Sequence, residues 1–280
     1  MTCYGGSVVP LYATPVSNSV GEGAGFDPSI ANVARVYDYL LGGKDNFTAD
    51  RQFGDQLLAA YPIVAWIARQ NRAFVDRAVR YCADQGADQF LDVGSGLPTM
   101  DNVHEVARRV IPGASVVYVD NDPVAFGHAT ALLATSDGIA ALCGDAREPG
   151  KILAEVSDRG LIDLNRPLVV LLTAILHFIP DEDDPAGIIE VFRDAMPSGS
   201  YLVLSHGTHD PVPAEPAPAA SMFRGASSPL ITRSRQDIAA MLAGLELVEP
   251  GLVAITQWRP AHPPEPRDRA YLYAAVGHKA

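Results

Sequence analysis

The stretch Phe90–Thr99 limits the possible folds of this chain more than any other. It reads Phe-Leu-Asp-Val-Gly-Ser-Gly-Leu-Pro-Thr. Its apolar run ends in Asp92 and then breaks into two glycines, Gly94 and Gly96, on either side of Ser95. Glycine reaches positive φ without strain and lets the backbone approach a ligand, so the stretch predicts a strand that runs into a tight binding turn. If a helix follows, its free N–H groups would face the same space.

A second acid, Asp120, ends the next apolar run, which begins at Ser115. A carboxylate in that position accepts the hydroxyls of a ribose in nucleotide-binding α/β folds. Leu97-Pro98 follows the second glycine, so the third glycine of a dinucleotide fingerprint is missing, and no P-loop lysine follows either. The set favours S-adenosylmethionine (SAM), which needs a ribose acceptor and a place for its amino-acid end but no phosphate site.

The composition narrows the class of protein. The 280 residues are 48% hydrophobic and 19% charged, which gives a globular chain ample material for a core. A net charge of −12 argues against nucleic acid as an obligate partner. The three cysteines lie far apart, and we find neither a signal peptide nor an apolar run that could span a membrane. We therefore expect a cytoplasmic protein without a nucleic-acid or membrane partner, and the sequence does not indicate its oligomeric state.

We divide the chain into three parts. Residues 1–25 are rich in Gly, Ser, Val and Pro, which predicts a mobile arm. Residues 26–84 have helical periodicity, which predicts a helical cap packed on the main domain at 85–280. In this cap, Asp27 or Ser29 would begin the first helix, which ends at Gly42-Gly43. A second helix would begin at Thr48 or Asp50, and a third would follow Tyr61-Pro62.

From residue 90 onward, predicted strands and helices alternate. We place strands at 89–93, 115–119, 140–143, 168–172 and 200–204, and helices near 101–110, 123–134 and 185–196. The alternation predicts right-handed βαβ units and a parallel sheet. The apolar run at 168–172 continues through Phe178, as expected for a strand that is buried on both faces.

The C-terminal part has a different pattern. After a Pro- and Ala-rich loop at 211–219, Ser234 and Asp237 form the capping-box signal of a further helix. The runs 245–248, 252–255 and 270–276 read as strands, and strands joined without a crossover helix must be antiparallel. Five βα units with a closing antiparallel hairpin are typical of the seven-stranded, Rossmann-like sheet of class I methyltransferases.

Four motifs together resemble a known family. They are Pro28–Ala31 with Tyr37–Phe47, Phe90–Thr99, Tyr118–Pro123 and Leu176–Asp181. The set resembles a SAM-dependent methyltransferase-like family, mainly of actinobacteria, that was first catalogued as a domain of unknown function. The resemblance covers nearly the whole chain from about residue 26. It implies a class I fold with SAM as cofactor, and it does not supply the substrate.

The general methyltransferase pattern then implies which residues meet each part of SAM. Asp92, Gly94, Ser95 and Gly96 would line the methionine and the ribose, and Asp120 would take the ribose hydroxyls. Asn121, Asp145 and the Ala146 backbone would surround the adenine, and Thr173 and Ala174 would pass beneath the sulfonium.

Other candidates come from the residues themselves. The loop after Gly42-Gly43 combines a cation, an acid and an amide, which suggests a lid that touches the ligand. Either Lys44 or Arg72 would pair with the SAM carboxylate. Tyr37 or Tyr39 would place its ring against the methyl group or the sulfonium, because an aromatic face stabilises a cation.

Methyl transfer is an in-line displacement that needs a base only when the acceptor must lose a proton. His177, in the apolar run after the fourth strand, and His206 are the candidates for that base. His206 and His209 lack a third clear ligand, so we assign no metal site.

We predict a methyltransferase with a small-molecule acceptor, and two alternatives stay open. No decisive catalytic dyad is evident, so the chain could instead be a regulatory or interaction protein that binds SAM or S-adenosylhomocysteine without turnover. A nicotinamide oxidoreductase is disfavoured by Leu97-Pro98 and by the terminal hairpin.

Overall fold

The computed structural model of the chain describes residues 27–98, 101–133, 137–210, 222–223, 226–263 and 270–280. The predicted arm at 1–25 and the predicted Pro-rich loop at 211–219 lie outside these residues. None of the helices in the described ranges is both long enough and apolar enough to cross a membrane.

Helices precede the sheet, and strands and helices then alternate. The first three elements are α1 (Val33–Leu40), α2 (Thr48–Ala60) and α3 (Val64–Asp84). They are followed by β1 (Gln89–Val93), α4 (Val103–Val110), β2 (Ser115–Asp120), α5 (Pro123–Leu133), β3 (Ile139–Cys143), α6 (Pro149–Asp158) and β4 (Val169–Thr173). Two 3₁₀ turns (Leu176–Phe178 and Asp181–Asp183) lead to α7 (Pro185–Ala195) and β5 (Tyr201–Gly207). The chain ends with α8 (Arg235–Met241), β6 (Glu246–Leu247), β7 (Val253–Ala254), a 3₁₀ turn (Ile255–Gln257) and β8 (Leu272–His278).

The strands form one eight-stranded mixed sheet. Its order is β3-β2-β1-β4-β5-β8-β6, and β7 also pairs with β8. The first five strands pair in parallel, with Leu91 of β1 opposite both Val117 and Val170. β8 runs antiparallel to β5, β6 and β7. This is the predicted class I architecture, with parallel βα units and antiparallel strands at the C-terminal end. The sheet has eight strands where seven were predicted, because β6 and β7 are separate two-residue strands that both pair with β8.

The sheet is covered by helices on both faces. Buried side chains of α6, α7 and α8, such as Ile152, Ile189 and Met241, pack on one face. Phe74 of α3 packs on the other face, where its ring meets Trp258 edge to face at a centroid distance of 5.4 Å. β1 and β4 are buried on both sides, and apolar residues accordingly follow one another at Phe90-Leu91 and at 169–172 instead of alternating with polar ones.

Helix α6 was not predicted from the sequence. It begins with Pro149 and Gly150, which read as a turn. Proline fits the first helical turn because its missing N–H needs no partner there. The buried faces of Ile152, Leu153 and Val156 then hold the helix against the sheet.

Two predicted element ends were wrong. The apolar run after β4 does not continue the strand, because Ala174 takes a φ of +56° and turns the chain into the 3₁₀ turn that holds Phe178. The first helix is not capped by Asp27 or Ser29, which instead bond each other in a turn. It is capped by Asn32, whose Oδ1 accepts from the N–H of Ala34 at 2.8 Å.

Candidate functional site

A cavity of about 700 Å³ opens at the carboxyl ends of the parallel strands. β1 lies between β2 and β4, so the chain order reverses there, and α/β folds bind their ligands at such a reversal. The volume lies within the range of about 300–1,000 Å³ that small-molecule sites occupy.

Two sets of residues line this cavity. The strand-end wall comprises Asp92, Gly94, Ser95, Gly96, Asp120, Asn121, Asp145, Ala146, Thr173 and Ala174. The apolar wall comprises Val36, Tyr37, Leu57, Tyr61, Phe178, Phe223 and Leu230. Arg72 and His177 also line the cavity, whereas Lys44 and His206 are not among the described residues that do. The structure therefore brings most of the sequence-predicted site residues together.

The glycine turn after β1 is fixed to β2. Gly94 and Gly96 have φ values of +73° and +65°, which favour glycine. The N–H groups of Gly94 and Ser95 both donate to the carbonyl of Val119, at 2.8 and 3.1 Å. A Cβ on Gly94 would lie only 2.1 Å from Cδ1 of Ile175, so the turn accommodates no side chain at this position.

Asp120 joins this turn to the end of β2. Its Oδ2 accepts from the N–H of Gly96 at 2.7 Å, and its Oδ1 accepts from the N–H of Asp122 at 2.9 Å. Burial raises the pKa of the carboxyl to about 6, although these backbone bonds favour the ionised form. The backbone of Asn121 also donates to this carboxylate, and because a carboxylate has about four lone-pair sites, capacity for a ribose hydroxyl remains.

Asp92 and Arg72 lie at the same end of the cavity. Burial raises the pKa of the Asp92 carboxyl to about 7, with Arg72 lowering it and Asp120 raising it further. The Arg72 guanidinium donates from Nη2 to the carbonyl of Asp101 at 2.7 Å. A buried acid and an arginine at one end of a cavity match the two charges of an amino-acid group.

Asp145 is already engaged by its neighbours. Its side chain accepts from Arg147 at 2.5–3.1 Å, and Asn121 also donates to it. Burial raises the pKa of this carboxyl, but the bonds from Arg147 outweigh it and leave the pKa below its ordinary value. Arg147 also approaches Asp183 at 3.5 Å. Arg147, which sequence reasoning missed, therefore shapes this end of the cavity.

Tyr37 belongs to a buried hydrogen-bond chain that the sequence did not reveal. Its hydroxyl donates to the carbonyl of Ala68 and accepts from Nδ2 of Asn71, both at 3.0 Å. Oδ1 of Asn71 accepts from the hydroxyl of Ser205 at 2.6 Å, and that hydroxyl accepts from the N–H of Ala174 at 2.9 Å. With its hydroxyl engaged on both sides, Tyr37 offers its ring to the cavity. The available signal was a polar Asn71 on the apolar face of α3.

A buried ion cluster ties α1 and α2 to the end of β2. Nε of Arg35 lies 3.0 Å from Oδ2 of Asp50, and its Nη1 lies 3.2 Å from Oδ2 of Asp122. All three side chains are nearly inaccessible to solvent. Arg35 and Asp122 also line the cavity, so the ribose-side acid Asp120 lies two residues from this cluster.

The loop that follows α1 is organised around Asp38. Its carboxylate accepts from the N–H of Asp45 at 3.1 Å and from Nδ2 of Asn46 at 2.8 Å. A Cβ on Gly43 would lie 1.9 Å from the same carboxylate. Lys44 is exposed at the tip of this loop and is not among the residues that line the cavity. These contacts within the protein account for the glycine, acid and amide of the loop, so a ligand is not needed to explain its composition.

Tyr39 and His206 also do not line the cavity. The Tyr39 hydroxyl donates to Asp55 at 2.6 Å. Nε2 of the buried His206 lies 2.9 Å from the Arg233 guanidinium, which can only donate, so the ring carries its proton on Nδ1 and gives it to the carbonyl of Gly207. Burial lowers the pKa of His206 to about 4.

His177 lines the cavity with one ring nitrogen already engaged. The N–H of Gly207 donates to its Nδ1 at 3.1 Å, so the neutral ring carries its proton on Nε2. Burial holds the pKa of this imidazole well below its ordinary value, and the nearby His206 and Arg233 lower it further. The lone pair that a base would use is therefore occupied.

In the ranges that the structure describes, no group of three or more His, Cys, Asp or Glu side chains is placed to hold a metal ion. The acids near 181–184 have other partners. Asp181 pairs with Arg233 at 2.6 Å, and Asp184 caps α7 by accepting from the N–H of Gly187 at 3.0 Å.

Two solved structures share both sequence and fold with this chain. A Thermobifida fusca protein provisionally assigned as a methyltransferase is 38% identical, with 90% of this chain and 96% of that chain covered and a TM-score of 0.84. A DUF574 family protein from Streptomyces avermitilis is also 38% identical, with 91% and 99% covered and a TM-score of 0.85. No curated protein matches the chain significantly.

The sequence profile of a family described as S-adenosyl methyltransferase matches residues 21–280, which is most of the chain. The match confirms the resemblance found in the sequence motifs, and it confirms SAM as the cofactor expected from the glycine turn and Asp120. The chain belongs to the S-adenosyl methyltransferase family.

Proposed function

We propose that the chain transfers the methyl group of SAM to a small-molecule acceptor by in-line displacement. The observation that carries this proposal is the cavity that unites the polar strand-end wall with the apolar wall. One wall suits a nucleoside with an amino-acid tail, and the other suits an organic acceptor beside it. The net charge of −12 also favours a small molecule over a nucleic acid.

The residues present fit SAM. Asp120 keeps lone-pair capacity for a ribose hydroxyl, and Gly94 keeps the turn open where a Cβ would collide with Ile175. Asp92 would take the ammonium group and Arg72 the carboxylate of the amino-acid end. When bound, SAM supplies a methyl group on a positively charged sulfur that is a good leaving group.

The adenine end would lie against Asn121 and Ala146. The Asp145 carboxylate is already bonded to Arg147, so the backbone of Ala146 is the better partner for the adenine amino group. Thr173 and Ala174, where β4 ends, would lie beneath the sulfonium.

The chain would contribute mainly alignment and exclusion of water. Ala174 keeps its positive φ because Ser205, Asn71 and Tyr37 hold the end of β4 through one hydrogen-bond chain. The apolar wall would close the other side against water. We also propose that residues 26–84 act as a cap, with α1 held over the strand ends by Arg35.

Proton removal would not be the chain's contribution. His206 is not among the lining residues, and Nδ1 of His177 is occupied by the N–H of Gly207. The favoured acceptor is therefore a nucleophile that attacks the methyl group without first losing a proton to the protein.

Methyl transfer is tested by mass-spectrometric detection of S-adenosylhomocysteine and methylated product after incubation with SAM and an acceptor library. The Asp120→Ala variant serves as the negative control. The exposed Asp158 of α6 provides a matched control, Asp158→Ala, because it removes an acid away from the cavity. We expect an acceptor-dependent product with the natural chain and with Asp158→Ala, and little with Asp120→Ala.

A second candidate is a regulatory protein that binds SAM or S-adenosylhomocysteine without turnover. The observation that favours it is the absence of an available base at His177 and His206. Tight SAM binding with no product from any acceptor in the library would favour this candidate over the enzyme.

A further inference from the structure

The apolar wall is mainly aromatic. The rings of Phe178 and Phe223 lie with centroids 5.6 Å apart, and the Tyr37 hydroxyl is already bonded on both sides. Leu57, in the same cluster, is fully buried. Aromatic faces of this kind bury a large apolar area and favour stacked or edge-on contact with another ring. The shape and chemistry of the wall therefore suit a planar ring system.

The cavity offers no free cation to an acidic acceptor within the described residues. Arg35 is bonded to Asp50 and Asp122, and Arg147 is bonded to Asp145. Arg72 donates to the Asp101 carbonyl and lies at the strand-end wall beside Asp92. A carboxylate or phosphate on the acceptor would lose its hydration without gaining a cationic partner.

The acids in the described lining are equally unavailable to a basic acceptor. Asp92 and Asp120 belong to the strand-end wall, and Asp122, Asp145 and Asp183 approach arginines. Asp27 bonds the neutral Ser29 in an exposed turn, so its charge is already solvated by water. A cation stacked in the apolar wall would thus face no buried carboxylate that lacks an arginine partner, apart from those of the strand-end wall.

His177 supplies a polar group beside the apolar wall. Its Nδ1 accepts from Gly207, so Nε2 carries a proton, and no described residue accepts from Nε2. The ring lies against Phe178 at a centroid distance of 4.5 Å and lines the cavity three residues beyond Ala174. His177 is therefore placed to donate a hydrogen bond to a bound acceptor.

We propose that the apolar wall takes an uncharged, planar aromatic acceptor with one hydrogen-bond-accepting group, which His177 holds by donating from Nε2. This proposal rests on the proposed function, because it names the substrate class of the same cavity. His177 acts in it as a positioning residue that sets which acceptors bind. It removes no proton.

Three naphthalene probes of similar size test the proposal. They are 2-acetonaphthone, which is neutral and has a carbonyl acceptor, 2-naphthoate, which is an anion, and 2-(aminomethyl)naphthalene, which is a cation at neutral pH. A fourth probe, 2-ethylnaphthalene, lacks the carbonyl. Each is titrated by ligand-observed NMR into the full chain with and without saturating S-adenosylhomocysteine.

We expect the ketone to bind about tenfold more tightly than either charged probe, because the charge would be desolvated without an opposite charge to pair with. We expect it to bind about fivefold more tightly than 2-ethylnaphthalene, because only the ketone accepts from His177. Charged probes that bind as tightly as the ketone, or no binding by any probe, would overturn the proposal.

Two variants test the two ring nitrogens of His177 separately: the Nε2 donor and the Nδ1 that accepts from Gly207. Asn in His177→Asn can still accept from Gly207 through its Oδ1 but loses the distal donor. Gln in His177→Gln places an amide N–H near the position of Nε2 but loses the acceptor for Gly207. Melting temperatures of both confirm that they are folded before binding is compared.

The ketone preference over 2-ethylnaphthalene should disappear in His177→Asn and persist in His177→Gln, a pattern that a purely structural role would not produce. An unchanged preference in His177→Asn would refute the role of His177. A chain that fails to bind S-adenosylhomocysteine but still prefers the ketone would overturn the proposed function alone. A chain that binds S-adenosylhomocysteine but prefers a charged probe would overturn this proposal alone.

Discussion

The N–H of Gly96 donates to Oδ2 of Asp120 across 2.7 Å, so the glycine turn after β1 and the acid that ends β2 form one unit. The same carboxylate accepts from the N–H of Asp122 through its other oxygen. The glycine turn would therefore already have its binding conformation before a ribose reaches Asp120. The first prediction follows from this arrangement.

Asp120→Ala should weaken SAM binding by about tenfold to a hundredfold, because hydrogen bonds to a charged group contribute about 1.5–3 kcal/mol. Isothermal titration calorimetry with SAM measures the change. The matched control Asp158→Ala, which removes an exposed acid from α6, should leave the Kd unchanged. Equal Kd values for Asp120→Ala and the natural chain would show that Asp120 does not meet the ribose.

The second prediction concerns pH. The pKa of Asp92 is raised by burial from 3.8 to about 7, so between these values the folded chain keeps a proton that the unfolded chain has lost. The stabilisation from this proton is complete below about pH 4 and is lost as the pH rises through about 7. Asp92→Asn removes the titrating group.

The melting temperature of Asp92→Asn should therefore exceed that of the natural chain by about 3 °C or more at pH 8, with the difference shrinking towards pH 4. The same variant should bind SAM at least about tenfold more weakly, because the ammonium group would lose its anionic partner. A difference in melting temperature that is constant with pH would contradict the raised pKa of Asp92.

The third prediction concerns the buried cluster around Arg35. Arg35→Met leaves the carboxylates of Asp50 and Asp122 buried without their cation, which should cost about 3–5 kcal/mol of unfolding free energy. Arg80→Met provides the control, because it breaks the exposed pair with Asp76, which should contribute about 0–1 kcal/mol. Urea denaturation of the ligand-free proteins measures both unfolding free energies. Similar losses in Arg35→Met and Arg80→Met would contradict the expectation that the buried cluster stabilises the fold more than the exposed pair.

The fourth prediction compares two glycines with similar backbone angles. Gly94 and Gly160 have φ values of +73° and +63°, so alanine at either position should cost about 1–2 kcal/mol. Only at Gly94 would the new Cβ also collide with Ile175, whereas nothing lies within 4 Å at Gly160. Gly94→Ala should lower stability further and weaken SAM binding more than about tenfold. Gly160→Ala should bind SAM normally in the same calorimetric titration.

The sequence predicted the sheet well because its strands carry strong local signals. The run before Asp92 and the run before Asp120 are apolar on both faces, and each ends in an acid at the edge where ligands bind. The order of these elements was enough to predict the class I fold. Helix α6 was missed because Pro149 and Gly150 resemble a turn when tertiary packing is not considered.

The polar contacts of the site were harder to predict, because they join residues that are far apart in the chain. The bond between Asn71 and Ser205 spans 134 positions, and the pair of Arg35 and Asp122 spans 87. Periodicity gives no information about such partners. His177 was expected at the end of an apolar strand, whereas it lies in the 3₁₀ turn beyond β4. The N–H of Gly207 that occupies its Nδ1 could not be read from the sequence.

The most direct test of the central claim is a calorimetric titration of the natural chain with SAM, with NAD and ATP as controls. We predict saturable binding of SAM with one site per chain and no comparable binding of NAD or ATP, because the glycine turn lacks a pyrophosphate site. Absence of binding by SAM, or tighter binding by NAD or ATP, would contradict the assignment of the strand-end wall as a SAM site.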